Sequence, residues 1–348
     1  MKSTLIIGKG DSDYTNRNPR RLTLQAKRAG HDVQWVDYDE ISKIKEFKND
    51  IVNVMLFFPY KFWNENCEKE DGTLYGTSKE KYMLFKDFFT EKDEEIRQVL
   101  KNKEINYIIH PEYAPIDRDK KLTHKTLTNA GIPTTERVKY TDLEDLLEQL
   151  ESYNGIFIKA NYGAEGKGIT ILRKNEWKTN YKVTENGLAN YGIHDKWYFT
   201  DITGKKELLE QLIYSEVIVE REIITPKIKK EPINSNKFDM RLYVLANEVP
   251  HFFIRVNERD KETTNYSQGA RVIHHPHTNL PEEKIKKYME IAVKAAEAMH
   301  LNFVGIDLMF DQTLNNPVVV EAQCFTDFPD INACYLQKEM INNSKIFK

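Results

Sequence analysis

Two acids stand where acids are costly. Asp307 interrupts the apolar run FVGIDLMFD, and Glu321 interrupts PVVVEAQCF. The loop 312–316 between them predicts a hairpin with 311 opposite 317, which sets Asp307 opposite Glu321. Gln323 then lies two residues on, along the same face as Glu321. Opposed carboxylates in an apolar hairpin repel and lose hydration, so they need a counter-charge. A magnesium ion that also binds phosphate meets that need. Pairing with Arg241, Arg255 or Arg271 is the other solution. A carboxyl dyad also suits acid–base work, but nothing here resembles a glycosidase context.

The stretch IFIKANYGAEGKGITIL (156–172) sets Gly163, Gly166 and Gly168 around Lys167. It is no P-loop: Asn161 replaces the first glycine, Gly168 replaces Ser or Thr, and a strand follows instead of a helix. A glycine loop between two antiparallel strands is either a plain turn or a flap that offers backbone N–H groups to phosphate. Lys159 shares a strand face with Phe157 at the root of this loop. Glu220 and Arg221 end another apolar strand, EVIVEREI, as hinge residues or as an exposed ion pair. His274, His275 and His277 lack metal spacing and read as a solvated loop or an anion contact, and Cys324 reads as packing.

These residues need elements to hold them. The chain has 348 residues, about 40% hydrophobic and 30% charged, and a net charge of −3, so no general polyanion surface and no nucleic-acid partner is expected. Cys67, Cys324 and Cys334 form no CxxC pattern, which points to a reducing compartment without disulfides or zinc. Neither a signal peptide nor a run of the length that spans a bilayer is visible, so a cytoplasmic location without membrane contact is expected. STLIIGKG, a helix over 18–30 and HDVQWVD begin a parallel α/β sheet, continued by strands in 53–60 and 105–113. The aromatic insertion 61–95 either packs on that sheet or lines a pocket. Thr141-x-x-Glu144 reads as a capping box, 175–203 as a loop-rich insertion, and a turn at Asn247-Glu248 joins two strands. Ile285, Met289, Ala292, Ala296 and Met299 form a helical core stripe.

In this order the parts resemble the ATP-grasp superfamily, in the branch of ribosomal-protein S6 glutamate ligases, lysine-biosynthesis ligases, glutathione synthetases and D-alanine–D-alanine ligases. RDKKLTHKTLTNAGIPTT is similar to the D-K … G-I/L-P entry of that family, FDMR to its D-x-R, and NYSQGARV to its N-x-x-x-G-G. The resemblance implies an α/β (α+β grasp) fold. It places a Rossmann-like pre-ATP-grasp domain over 1–115, a lid lobe with the glycine flap over 116–222, and a C-terminal lobe with the metal site over 223–348. Lys120, with Lys121 as neighbour alternative, and Lys159 become nucleotide lysines, and Gly163, Gly166, Lys167 and Gly168 the flap. Glu220 becomes an acceptor for the adenine amino group, with Arg221 beside it and the Ile223 backbone following. Asp239 falls near ribose or substrate, Arg241 on phosphate, and Arg255 on an acyl-phosphate. Asn265 and Gly269 belong to a loop near phosphate and substrate. Asp307, Glu321 and Gln323 become ligands for one or two magnesium ions, or manganese. Three features depart from the pattern: Gln323 stands for Asn, Ala270 follows Gly269, and ITPKIKKEPINSNK replaces a short turn.

The resemblance implies an ATP-dependent carboxylate–amine or carboxylate–thiol ligase working through an acyl-phosphate. Its partners are expected to be small molecules, amino acids, peptides or carrier proteins, and a homodimer is common in the family. The alternatives are a kinase that phosphorylates a hydroxyl on the same scaffold, and a nucleotide-binding regulator without catalysis.

Overall fold

The computed structural model describes residues 2–10, 12–68, 71–192, 195–328 and 333–348. The chain starts with β1 (Ser3–Ile7), α1 (Asp13–Arg28), β2 (Asp32–Val36), β3 (Ile51–Leu56), α2 (Tyr60–Asn66), α3 (Lys79–Val99) and β4 (Glu104–Tyr107). These four strands form a parallel sheet in the order β2-β1-β3-β4. Every residue of β1 is buried, as expected for a parallel strand covered on both faces. Helix α1 starts before the expected residue 18, because Ser12 caps it through the Thr15 N–H. The insertion aromatics mostly pack: Trp63, Phe85 and Phe89 touch edge to face, and Trp63 tilts against Phe58, just before the insertion.

Helices α4 (Lys120–Asn129) and α5 (Leu143–Leu150) lead into the lid lobe. The expected capping box on α5 is displaced by one residue. Asp142 caps the Asp145 N–H, and Asp145 accepts from the Thr141 N–H. The lid sheet runs β10-β7-β6-β5-β11 and is antiparallel. Its strands are β5 (Ile156–Ala160), β6 (Ile169–Arg173), β7 (Glu176–Thr179), β10 (Thr200–Asp201) and, after α6 (Lys206–Ile213), β11 (Val217–Arg221). The insertion expected to be loop-rich holds β7, β10 and a small hairpin of β8 (Lys182–Thr184) and β9 (Gly187–Ala189).

A third sheet runs β14-β13-β12-β15-β16, again antiparallel. It is built from β12 (Lys237–Leu245), β13 (Glu248–Asn257), β14 (Arg271–His274), β15 (Phe303–Phe310) and β16 (Pro317–Gln323). The turn between β12 and β13 falls at Ala246-Asn247, one residue before the expected pair, and both residues have positive φ, as a tight hairpin of this hand requires. Helix α7 (Glu282–Ala298) packs on this sheet through the buried Ile285, Ala292 and Ala296. The final helix is α8 (Ala333–Asn342). It lies against α1, and Asn53 and Asn106 donate to the carbonyls of Lys348 and Ile346, so the segment closes onto the first sheet. The first and third sheets share one hydrophobic cluster, while the lid lobe has its own around Leu146, Ile158, Leu172 and Leu209. Among the described residues, no helix is long and apolar enough to cross a membrane.

Candidate active site

One cleft gathers most of the expected residues. It encloses about 1110 Å³, counted out to open solvent. Lys159, Gly163, Gly166 and Lys167 line it from the lid sheet and its loop, with Lys120 from the start of α4. Glu220, Arg221 and Ile223 line it where β11 ends. Asp239, Arg255, Asn265, Asp307 and Glu321 line it from the third sheet and its loops. Arg241, Gly168, Gly269 and Gln323 do not line it.

The third sheet carries a row of charges across four strands. Asp239 faces Arg255 on β13, Arg241 on β12 faces Asp307 on β15, and Asp307 faces Glu321 on β16. Arg255 forks onto Asp239 with Nε and Nη2 each at 2.7 Å, and its Nη2 also reaches Asp307 Oδ2 at 2.8 Å. Arg241 forks onto Asp307, with Nε to Oδ1 and Nη2 to Oδ2 both at 2.7 Å. Such bidentate pairs are the strong kind. Burial would raise the Asp307 carboxyl, but the two guanidiniums outweigh it and hold it down to about 2. Arg241 therefore departs from the expected phosphate contact: its fork is spent on Asp307, and its Nη1 faces Thr326 at 3.5 Å.

The facing of Asp307 and Glu321 arises differently from the expected register. The ladder pairs Phe310 with Pro317, Met309 with Val318 and Leu308 with Val319, then shifts by one so that Asp307 meets Glu321. The turn is one residue longer than expected, and a bulge at Val320 restores the pairing. The bulge also decides direction. Val319 and Ala322 are core residues, whereas Val320 and Glu321 both line the cleft. By strict alternation Glu321 shares the face of Val319 and points into the core.

Lys120 lines the cleft and Lys121 does not. The Lys120 ammonium contacts the Gly163 carbonyl and lies 3.5 Å from Glu321, while Lys121 pairs with Glu216 outside the cleft. Burial lowers the Lys120 pKa, and Glu321 partly offsets it. Lys159 donates to Glu220 at 2.6 Å, and the Thr135 hydroxyl donates to the other Glu220 oxygen at 2.6 Å. Burial works against the Glu220 carboxylate, yet Lys159 and Arg137 keep its pKa below the ordinary value.

The glycine loop is clasped. The N-terminal insertion reaches over, so that the Ala164 N–H donates to the Tyr75 hydroxyl at 3.1 Å and the Tyr162 N–H donates to the Gly76 carbonyl at 2.8 Å. Tyr82 stacks on Tyr162 at 4.5 Å. A Cβ on Gly76 would come within 2.6 Å of the Gly163 nitrogen, so only glycine allows this approach. Gly166 has a φ of +73°, and a Cβ there would meet Asn265 at 2.9 Å, so the third sheet's loop also touches the flap. Tyr75, Gly76, Thr135 and Thr264, whose hydroxyl donates to Asp239 at 2.6 Å, are site residues that spacing did not reveal. DGTLYGTS reads as an ordinary turn, and single threonines carry no motif.

The metal donors fit a magnesium ion in part. Magnesium takes one or two protein carboxylates with phosphate and water completing the shell. Asp307 Oδ2 accepts from both arginines, but Oδ1 accepts one bond and retains a lone pair. Glu321 lies 3.5 Å from the Lys120 ammonium. Gln323 sits opposite Gly305, half-buried. Among the described residues, no group of three or more His, Cys, Asp or Glu is arranged to hold a metal alone.

Comparison with known proteins agrees with this architecture. A model of the YheC/D-like ATP-grasp family matches residues 118–323, and the chain belongs to that family. It is 23% identical over 225 residues to the glutathione biosynthesis bifunctional protein GshAB of Desulfotalea psychrophila, a match over 56% of this chain. The matched region spans only 28% of that relative. Two solved structures share the fold. D-alanine–D-alanine ligase from Bacillus anthracis complexed with ATP has a TM-score of 0.56 at 14% identity, covering 99% of this chain and 96% of that one. A RiPP-associated ATP-grasp ligase from Chryseobacterium gregarium, in complex with ADP and a leader and core peptide, has a TM-score of 0.58 at 12% identity, covering 98% and 96%.

Proposed function

We propose that the chain is an ATP-dependent ligase that joins a carboxylate to an amine, or to a thiol, through an acyl-phosphate. The observation that carries this reading is the meeting of Lys120, Lys159, Lys167 and the flap with the acid–arginine row in one cleft. Lysines and loop N–H groups suit a triphosphate, and the row suits charge that builds up on a transferring phosphoryl group. Family membership and fold neighbours that are ligases for D-alanine and for peptides support the same class, with an amino acid or peptide as substrate.

ATP binds with its phosphates toward Lys120, Lys159 and the flap and its base toward the end of β11. Each Glu220 oxygen accepts one hydrogen bond, from Lys159 or Thr135, and keeps a lone pair for the adenine amino group, with the backbone near Ile223 beside it. Asp307 Oδ1, Glu321 and the Gln323 amide would hold a magnesium ion, or a pair, whose charge would neutralise phosphate oxygens. The substrate carboxylate oxygen attacks the γ-phosphorus. The bond to the β–γ bridging oxygen breaks, and ADP leaves with that electron pair. Arg255 steadies the acyl-phosphate, while Arg241 acts one step back by fixing Asp307. The amine then attacks the carbonyl carbon, phosphate departs with the C–O electron pair, and the amine proton passes to the departing phosphate. The clasped flap excludes water, which hydrolyses acyl-phosphates. We further propose boundaries near residues 115 and 222 for the three working parts, with 333–348 serving the first.

The test is ADP release with ATP, magnesium and a panel of carboxylates, with and without hydroxylamine. A hydroxamate formed with at least one acid is the expected result. A stable phosphate ester from a hydroxyl compound, with no hydroxamate from any acid, overturns the ligase reading.

A further inference from the structure

The glycine loop fronts a second cavity, and Lys167 lines both. Its walls come from the two insertions: Glu68 and Tyr75 from the N-terminal one, Tyr181, Tyr191 and Trp197 from the lid lobe. Nothing in the phosphoryl chemistry uses this space. Most of its polar groups are already engaged. Asn180 bonds the Ile169 N–H and the Gly166 carbonyl, and Asn190 bonds the Tyr75 N–H and the Thr73 carbonyl. The Tyr181 hydroxyl donates to the Tyr75 carbonyl, and Lys81 pairs with Asp71 at 2.9 Å. Burial pushes the Cys67 thiol up to about 12, so it is no nucleophile there.

Two charged groups of its lining have loose partners. The Glu68 side chain is only 12% exposed, and its Oε1 accepts from the Trp63 indole at 2.9 Å. Its Oε2 lies 3.8 Å from the Lys167 ammonium, too far for a hydrogen bond. Lys167 is otherwise 3.4 Å from the outward-facing Glu165 and 5.5 Å from the Tyr75 ring centre. A sheltered anion and a sheltered cation thus stand side by side, neither fully engaged, between aromatic walls. A carboxylate buried this far is costly unless something pairs with it. A ligand with an ammonium and a carboxylate on one carbon complements both charges, and the rings accept its side chain.

We propose that this cavity is the acceptor pocket and takes a free α-amino acid, its ammonium on Glu68 and its carboxylate on Lys167. A peptide interior carries neither charge, and each peptide end carries one alone. The proposal rests on the ligase reading for the word acceptor, and on the cavity alone for amino-acid binding.

The test has two arms on the full chain. In the first, tryptophan fluorescence and calorimetry follow each of the twenty common α-amino acids without nucleotide. At least one is expected to bind, with its N-acetyl and carboxamide forms at least tenfold weaker. Glu68→Gln is expected to weaken it at least tenfold and to leave ADP binding unchanged. Glutamine still accepts from Trp63, and the ADP titration reports on the fold. Binding by none of the amino acids, or binding indifferent to Glu68→Gln, overturns the proposal. In the second arm, hydroxylamine replaces the acceptor and needs no pocket, so Glu68→Gln should form hydroxamate at the wild-type rate while losing the amide product. Hydroxamate without amino-acid binding overturns the pocket alone. Amino-acid binding without hydroxamate overturns the ligase reading alone.

Discussion

At the scale of single residues, the two facing acids have different duties. Glu321 reaches the cleft with Lys120 3.5 Å away, so Glu321→Gln should cut kcat at least a hundredfold while the thermal midpoint stays put. A variant with near-normal turnover would remove Glu321 from the metal site. Asp307 is also a structural anion, because two buried guanidiniums depend on it. Asparagine cannot balance them, so Asp307→Asn should lose both turnover and about 3–5 kcal/mol of stability, read from a urea midpoint. Its carboxyl, ordinarily near 3.8, is held down to about 2. A depressed carboxyl stabilises the fold above its unfolded value, and that stabilisation is lost as pH falls through the folded one. The wild-type chain should therefore lose stability through this group as pH falls from 4 to 2. A urea midpoint that falls no more in the wild type than in Asp307→Asn across that window would contradict the pairing. These residues were legible because charge inside an apolar run is conspicuous. Thr135, Thr264 and Tyr75 were not, because a hydroxyl looks the same whether it meets water or a carboxylate.

At the scale of elements, the sequence revealed strands better than it revealed their edges. The hairpin of β15 and β16 was visible, and so was the pairing of Asp307 with Glu321, yet two compensating features were hidden. A longer turn and a bulge at Val320 cancel in the register, and only the bulge aims Glu321 outward. A bulge in a run of valines has no sequence mark. The flap was equally half-visible: its glycines are plain, but its clasp comes from residues 72–77, far away in sequence. Tyr75→Phe removes the hydroxyl that receives the Ala164 N–H. It should raise ADP release uncoupled from product severalfold, as water enters more often. Unchanged coupling would show that the flap is held by other contacts.

At the scale of the whole molecule, the described residues form three larger sheets and the β8–β9 hairpin, resting on two hydrophobic clusters. The parallel opening and the grasp sheets were foreseeable from strand order. The return of 333–348 to the first sheet was not, since helix periodicity names an apolar face and never its partner. Local opening follows core size. Amides of the lid lobe should therefore exchange at lower free energy than those of β1, β3, β12 and β15. Equal protection across both clusters in hydrogen-exchange mass spectrometry would contradict the division.

Leu74 and Tyr75 lie in the chain between α2 and α3, which pack in the first cluster, but they themselves pack in the second. They act as a tether of fixed length between two bodies, and the flap hangs from its end. A tethered gate opens no faster than its slowest fastening lets go. The ceiling on turnover then belongs to departure of product and not to bond-making, and the first cycle should run ahead of all later ones as a burst of ADP.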